Sequence, residues 1–130
     1  MNSEEIYIEE SPFFFDSYAF FEILKGNNNY QHYKKCKIVT TKLNLFELYL
    51  GLLRDIDEET AEKYLETYYP FVIDFDKVII KSAAKLKNKL NKRNISMADC
   101  IGYSLAKQLE IKFLTGDKEF ESLDNVEFVK

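Results

Sequence analysis

Four acidic residues, each at or near the predicted start of a helix, could together hold divalent cations: Asp16, Glu47, Asp99 and Asp117. Hard ions such as Mg²⁺ and Mn²⁺ prefer oxygen ligands and bridge carboxylates to phosphates. Two such ions can activate a water and stabilise a departing oxygen during phosphodiester hydrolysis. This chemistry needs neither histidine nor cysteine, which suits a chain with one His and two Cys.

Each carboxylate also has an ordinary structural explanation. Aspartate is a preferred N-cap, and acids near a helix N-terminus stabilise it by about 0.3–1 kcal/mol. Ser96 and Asp99, for example, have the spacing of a capping box. In a parallel sheet, however, the carboxyl ends of the strands open into one crevice, where several carboxylates would repel one another unless cations neutralise them. The set of four therefore favours a metal site at that edge.

The elements that must position these carboxylates follow from the hydrophobic pattern. Short apolar runs predict strands at 13–15, 38–41, 71–73, 111–115 and 126–129. Helical spacing predicts helices at 17–24, 43–53, 57–69, 97–110 and 118–123, and one that begins after Asp76. Strands that alternate with helices predict an α/β fold, here a three-layer α/β/α sandwich with a central, mostly parallel sheet.

Two of the predicted helices have unusual faces. In the predicted helix 97–110, a row of small residues would let the helix approach a sheet closely. These residues are Ala98, Gly102 and Ala106, and they lie beside a row of large apolar residues, Met97, Ile101, Leu105 and Leu109. The helix 43–53 has two apolar stripes, which is more than packing on one sheet uses. It is therefore either deeply buried or part of a subunit interface, and we expect a homodimer.

Charge is segregated along the chain, whose net charge is −4. Residues 1–11 form a predicted acidic arm, and residues 12–130 are expected to form one domain. The segment from Lys77 to Arg93 contains seven basic residues and no acid. A basic helix face is more often simply solvated. Five of these residues could nevertheless bind RNA phosphates: Lys81, Lys85, Lys89, Lys92 and Arg93.

The apolar runs are all shorter than the roughly 18–20 residues that span a bilayer. The first residues are acidic, whereas a signal peptide begins with basic residues. We therefore expect a soluble cytoplasmic protein with no membrane partner.

Four motifs in order give the sequence a resemblance to PIN domains: Phe15-Asp16-Ser17, Asn44-Leu45-Phe46-Glu47-Leu48, Ser96-Met97-Ala98-Asp99-Cys100-Ile101, and Leu114-Thr115-Gly116-Asp117-Lys118-Glu119-Phe120. The resemblance covers about residues 12–130, and its last two motifs are the most specific. It implies a metal-dependent endoribonuclease in which the four acidic residues hold Mg²⁺ or Mn²⁺, while Ser17 and Thr115 support the pocket.

Small single-domain members of this family are commonly VapC-like toxins of toxin–antitoxin pairs. The resemblance therefore implies a dimer that an antitoxin protein neutralises by blocking the site. The acidic arm departs from the family pattern, in which the first strand starts almost at the initiator methionine.

Two other functions fit parts of the pattern. A PIN-like scaffold could bind RNA or protein without cutting it. A receiver-type signalling domain has a similar length and an acidic Mg²⁺ site, but it places paired acids after its first strand, where this chain has Asp16 alone.

Overall fold

The structure, a computed structural model, describes residues 11–130. The predicted acidic arm therefore lies outside the described residues, apart from Ser11. The Ser11 carbonyl accepts a hydrogen bond of 3.0 Å from the Lys37 amide. The division into an arm and a domain stays a prediction.

A four-stranded, entirely parallel sheet forms the centre of the described chain. Its strands are β1 (Pro12–Phe15), β2 (Lys37–Val39), β3 (Lys112–Thr115) and β4 (Val126–Phe128), in the order β2-β1-β3-β4. In the central register, Phe14 pairs with Val39 on one side and with Phe113 on the other. All three apolar residues of the first predicted strand are thus in the sheet.

The helices are α1 (Ser17–Leu24), α2 (Lys42–Asp55), α3 (Glu58–Tyr68), α4 (Lys77–Lys89) and α5 (Met97–Gln108), with 3₁₀ helices at Asn28–Lys35, Tyr69–Phe71 and Lys118–Phe120. Asp57, Asp76 and Ser96 are N-caps, because each accepts a hydrogen bond from a backbone amide of the first turn. Within residues 11–130, no helix has the length and apolar character needed to cross a membrane.

Alternating strand residues point into two separate cores, which confirms the three-layer sandwich. Phe15 and Leu114 contribute to the core under α1, α2 and α3. Phe14 and Phe113 contribute to the opposite core under α4 and α5, and their rings stack with centroids 5.7 Å apart. Strands buried on both faces explain why the apolar runs do not alternate with polar residues.

The predicted strand at 71–73 is wrong. The segment makes only an isolated bridge, in which Thr40 pairs with Val72. Pro70 lies at the start of a 3₁₀ turn, where its fixed φ and missing N–H are tolerated, and that turn occupies Phe71. The chain then leaves the sheet edge for the cap of α4 at Asp76.

The small-residue row of α5 lies against the sheet as predicted. A Cβ atom on Gly102 would lie 2.5 Å from the Phe14 ring and 3.2 Å from the Phe113 ring, so the helix backbone fits directly over this aromatic pair. The ends of the larger apolar row behave differently from the prediction. Met97, the first residue of α5, is 59% exposed, and Leu109, its C-cap, is 45% exposed.

We expect Gly102→Ala to lower the free energy of unfolding by about 1–3 kcal/mol, the usual cost of overpacking, although Ala is the better helix former. The measurement is denaturant unfolding. Gly51→Ala is the comparison variant, since the nearest atoms that its methyl group would meet belong to the Phe21 ring, which is only partly buried. Equal losses in the two variants would contradict the idea that the fixed aromatic pair makes Gly102 necessary.

Candidate active site

Asp16 occupies the junction between β1 and α1. It is the N-cap of α1, and its Oδ1 accepts a hydrogen bond of 2.8 Å from the Ala19 amide. The residue is only 1% exposed. The Asp side chain is therefore held at the carboxyl end of a central strand, surrounded by protein.

Asp99 lies in the first turn of α5 and takes part in the capping box that its spacing predicts. The Asp99 amide donates to Ser96 Oγ at 3.1 Å, and Asp99 Oδ2 accepts from the Ser96 amide at 3.3 Å. The ordinary explanation of Asp99 as a cap is thus correct. It does not exclude a second role, since the carboxylate also interacts with other acids.

Asp117 follows β3 and caps the 3₁₀ helix Lys118–Phe120. Its Oδ1 accepts from the Glu119 amide at 3.0 Å, while its own amide donates to Thr115 Oγ1 at 3.1 Å. Thr115 is fully buried, and whereas burial raises the pKa of the Asp16 carboxyl, the Thr115 side chain lowers it. The Thr115 hydroxyl thus interacts with both Asp16 and the Asp117 turn.

Glu47 reaches the same edge from the second turn of α2. Ser17 Oγ donates to Glu47 Oε1 at 2.6 Å, so the residue that follows Asp16 orients the fourth carboxylate. Asn44, one turn earlier on α2, is fully buried and was not predicted as a site residue. Its position three residues before Glu47, on the same face of α2, is the sequence signal that could have identified it.

Asn44 is held by the N-cap of α2. Its Oδ1 accepts from Thr41 Oγ1 at 2.6 Å, and its main-chain carbonyl lies 3.4 Å from Ser17 Oγ. The Asn44 Nδ2 group has no hydrogen-bond partner among the residues that the structure describes. Buried donors are normally paired, so this is an unusual feature of the edge.

The four carboxylates are close enough to act on one another electrostatically. Burial raises the pKa of Asp16 well above its ordinary value, and the charges of Asp99 and Asp117 raise it further. Burial, then the charge of Glu47, raises the pKa of Asp99 from 3.8 to about 6, and Asp117 adds to the effect. The folded protein therefore disfavours full ionisation of this cluster, which a bound cation would relieve.

The donor set fits a hard divalent ion. Among residues 11–130, no three His, Cys, Asp or Glu side chains form a compact group that could hold a metal by themselves. The edge does present carboxylate and hydroxyl oxygens, which suit Mg²⁺ and Mn²⁺. Mg²⁺ commonly keeps several waters and uses one or two carboxylates together with substrate phosphates. The residues thus fit an ion that has few direct protein ligands.

The predicted basic residues divide into two kinds. Lys81, Lys85, Lys89 and Lys92 are exposed to solvent. Arg93 is half-buried, and its Nη1 donates to the Glu119 carbonyl at 2.8 Å. The end of α4 lies beside the segment that leads into α5, because Lys87 Nζ donates to the Ile95 carbonyl at 2.6 Å.

Comparison with family models now adds to this geometry. The model described as the PIN domain matches residues 13–126, which is nearly the whole described chain. The chain belongs to the PIN domain family. Membership in this family confirms the resemblance that the four motifs indicate. It also excludes a receiver-type signalling domain. A comparison with curated proteins finds no match.

Solved structures share the fold of this PIN domain. A toxin–antitoxin complex from Klebsiella pneumoniae has 15% identity and a TM-score of 0.67, covering 87% of this chain and 93% of its own. VapBC2 from Rickettsia felis, bound to a DNA fragment from its promoter, has 18% identity, 91% and 97% coverage, and a TM-score of 0.67. VapBC-1 from nontypeable Haemophilus influenzae has 18% identity, 92% and 97% coverage, and a TM-score of 0.68.

The raised pKa of Asp99 predicts how stability depends on pH when divalent ions are removed with EDTA. Because the folded-state pKa of about 6 exceeds the ordinary 3.8, the folded protein binds more protons between these values. The free energy of unfolding should therefore fall as pH rises from about 4 to about 6. Asp99→Asn keeps a capping acceptor but has no charge, so it should be more stable than wild type at pH 7, by up to about 3 kcal/mol.

Denaturant unfolding at pH 4 and pH 7 measures this effect. The advantage of Asp99→Asn should shrink to near zero at the lower pH, and added Mn²⁺ should stabilise the wild type more than the variant. A variant that is less stable than wild type by the same amount at both pH values would show that Asp99 acts only as a cap.

Proposed function

We propose that this PIN domain is a divalent-metal-dependent endoribonuclease whose Mg²⁺ or Mn²⁺ site is formed by Asp16, Glu47, Asp99 and Asp117. The observation that carries the proposal is the electrostatic coupling of these carboxylates at the carboxyl edge of the sheet, where four separate chain segments meet. If these residues acted only as helix caps, their carboxylates would not need to lie near one another, because an N-cap acts only on its own helix.

Each residue has a distinct part in the proposed site. Asp16, Asp99 and Asp117 would hold the ions, and Glu47 would contribute directly or through water. Ser17 would orient Glu47, and Thr115 would join Asp16 to the Asp117 turn through the contacts that its hydroxyl makes. A bound ion would supply the Lewis acidity that phosphodiester hydrolysis needs.

The proposed RNA path runs from the acidic edge toward α4. Lys81, Lys85, Lys89 and Lys92 are exposed and could neutralise flanking phosphates, with Arg93 nearest to the Asp117 turn. Such contacts would be independent of sequence and would weaken as salt rises. They could raise affinity, but they could not choose the cleavage site.

The second part of the proposal concerns biological role and partners. We propose that the chain is the toxin of a toxin–antitoxin pair and that an antitoxin protein covers its site. Support comes from the solved structures of the same fold, which are a toxin–antitoxin complex and two VapBC complexes. Cytoplasmic localisation is part of the same proposal.

The apolar surface of α2 supports a homodimer. Of its two stripes, Leu45, Leu48 and Leu52 are buried. The other stripe faces solvent, with Phe46 68% exposed, Leu50 42% and Leu53 40%. Contiguous exposed apolar surface of this kind commonly marks an interaction site.

A scaffold that binds RNA without cutting it is the second candidate. The specific observation in its favour is the lack, within residues 11–130, of a compact three-ligand group for a metal. A site assembled from few carboxylates and water depends more strongly on substrate phosphates to complete it. Cleavage assays distinguish the two candidates.

Incubation of the purified protein with a mixed RNA pool tests the nuclease function. We expect cleavage with Mn²⁺, none with EDTA, and a loss of at least about 100-fold in Asp99→Asn, since losing even an outer-shell partner of a metal costs about 10- to 100-fold. Asp55→Asn is the matched control, because Asp55 is exposed at the far end of α2 and its change removes the same charge. Equal activity of wild type and Asp99→Asn would contradict the proposal, and RNA binding without turnover would favour the scaffold.

Sedimentation tests the dimer. Leu50→Arg places a charge in the exposed stripe of α2 and should convert a wild-type dimer to a monomer, because a buried unpaired charge is costly at an interface. Leu109→Arg is the control, since Leu109 is equally exposed but lies at the end of α5. A folded Leu50→Arg variant that remains dimeric would exclude this surface as the interface.

A further inference from the structure

Arg93 is bound through its guanidinium to a main-chain carbonyl close to the acidic edge, whereas Lys87, of the same basic segment, binds the Ile95 carbonyl. Arg93 lies in the connection between α4 and α5, where its amide donates to the Leu90 carbonyl at 2.9 Å. The side chain is half-buried, and Nη1 donates to the Glu119 carbonyl at 2.8 Å. Lys92, its immediate neighbour, is exposed.

Glu119, whose carbonyl accepts a hydrogen bond from Arg93, is also the residue whose amide binds Asp117. While the Glu119 carbonyl accepts from Arg93, the Glu119 amide donates to Asp117 Oδ1 at 3.0 Å. The Asp117 amide in turn donates to Thr115 Oγ1 at 3.1 Å. Hydrogen bonds therefore link Arg93 through Glu119 and Asp117 to Thr115, at the end of β3.

The contact also has a mechanical consequence. The turn that carries Asp117 is a short 3₁₀ helix, Lys118–Phe120, and such turns have poor hydrogen-bond geometry of their own. Phe120 anchors its far side in the core, but Glu119 is only partly buried. Arg93 ties the Glu119 carbonyl to the connection just before Ser96 and Asp99. It therefore links the segments that carry two of the four carboxylates.

The charge environment argues that Arg93 does not act by simple neutralisation. It forms no ion pair with any carboxylate of the described residues. A guanidinium carries five N–H donors in a rigid plane, and only one is bound to Glu119 here. A planar donor held in this way suits a fixed positional contact, whereas a flexible ammonium would be enough for nonspecific phosphate contact.

We propose that Arg93 is a positioning residue that fixes the Asp117 turn through the Glu119 carbonyl, and thereby sets the geometry in which Asp117 meets a metal ion. The metal part of this statement rests on the proposed function, whereas the positioning part rests on the hydrogen bonds alone. Arg93 is thus assigned a different task from the exposed lysines of α4.

Amide hydrogen exchange of Glu119 in the metal-free protein tests the positioning part directly. We expect exchange about 10-fold faster in Arg93→Ala than in wild type, because its neighbouring carbonyl is no longer held. Two controls should leave Glu119 unchanged. Lys92→Ala makes the same charge change one residue away, and Lys87→Ala removes a cation that binds a different carbonyl, that of Ile95. Arg93→Lys should restore part of the protection.

Calorimetric titration with Mn²⁺ alone tests the metal part. Affinity should fall about 10-fold in Arg93→Ala, at the lower end of the cost of losing an outer-shell partner, and should be unchanged in Lys92→Ala. Thermal unfolding of each variant checks that it is folded. The assay also separates this inference from the proposed function, because a wild type that binds no Mn²⁺ overturns the metal site, while the exchange of Glu119 still decides the positioning role.

Two results would overturn the inference. The first is Glu119 exchange in Arg93→Ala that equals exchange in Lys92→Ala. The second is loss of RNA affinity in Arg93→Ala at low salt with unchanged Glu119 exchange and unchanged Mn²⁺ affinity, which would make Arg93 another phosphate contact.

Discussion

Repulsion among carboxylates that are held together at one edge of the sheet is the constraint on which the rest of this structure depends. Asp16 is almost fully buried, and the charges of Asp99 and Asp117 act on it there. Each of these three carboxylates accepts a backbone amide at the start of a helix or turn, from Ala19, Ser96 or Glu119. Those amides stabilise negative charge locally, but they do not cancel the repulsion between neighbours.

The two aromatic cores hold this unfavourable arrangement in place. The Phe14 and Phe113 rings stack on one face of the sheet, and Gly102 lets α5 lie directly on them. Asp99 is three residues before Gly102 on the same helix, so this close approach also fixes how near Asp99 lies to the carboxyl edge of the sheet. On the other side of the sheet, Ser17 and Glu47 join α1 to α2 through a hydrogen bond of 2.6 Å. The packing of the two cores therefore also fixes the positions of the acidic side chains at the edge.

Different elements around the acidic edge present surfaces that suit different kinds of partner. The exposed apolar stripe of α2 suits a protein partner, while the lysines of α4 suit a polyanion. Arg93 is basic like the lysines of α4, but its guanidinium donates a hydrogen bond to the Glu119 carbonyl at the acidic edge. Its charge alone would assign it to the same task as those lysines, whereas this contact distinguishes it from them.

Local physical chemistry explains why so much could be predicted. Strand runs, helix caps and the α/β order depend on neighbours within a few positions, so Asp16, Asp99 and Asp117 could be placed at element starts from sequence. The same local reasoning failed at 71–73, where the competing 3₁₀ turn at Pro70 and the position at the sheet edge left a single bridge. β-propensity alone does not decide whether a run finds a partner strand.

The sequence by itself therefore determined the parallel α/β layers, the family and the positions of Asp16, Asp99 and Asp117 at helix or turn starts. Only the tertiary structure decided which stripe of α2 is buried, that Asn44 lies in the interior beside Ser17, and that Arg93 binds the Glu119 carbonyl. The Asn44–Ser17 and Arg93–Glu119 contacts join residues 27 and 26 positions apart, and the buried stripe of α2 packs in a core with residues from several elements. No local pattern encodes such contacts. The physical reason is that burial and long-range hydrogen bonding are properties of the packed chain, whereas capping and periodicity are properties of a segment.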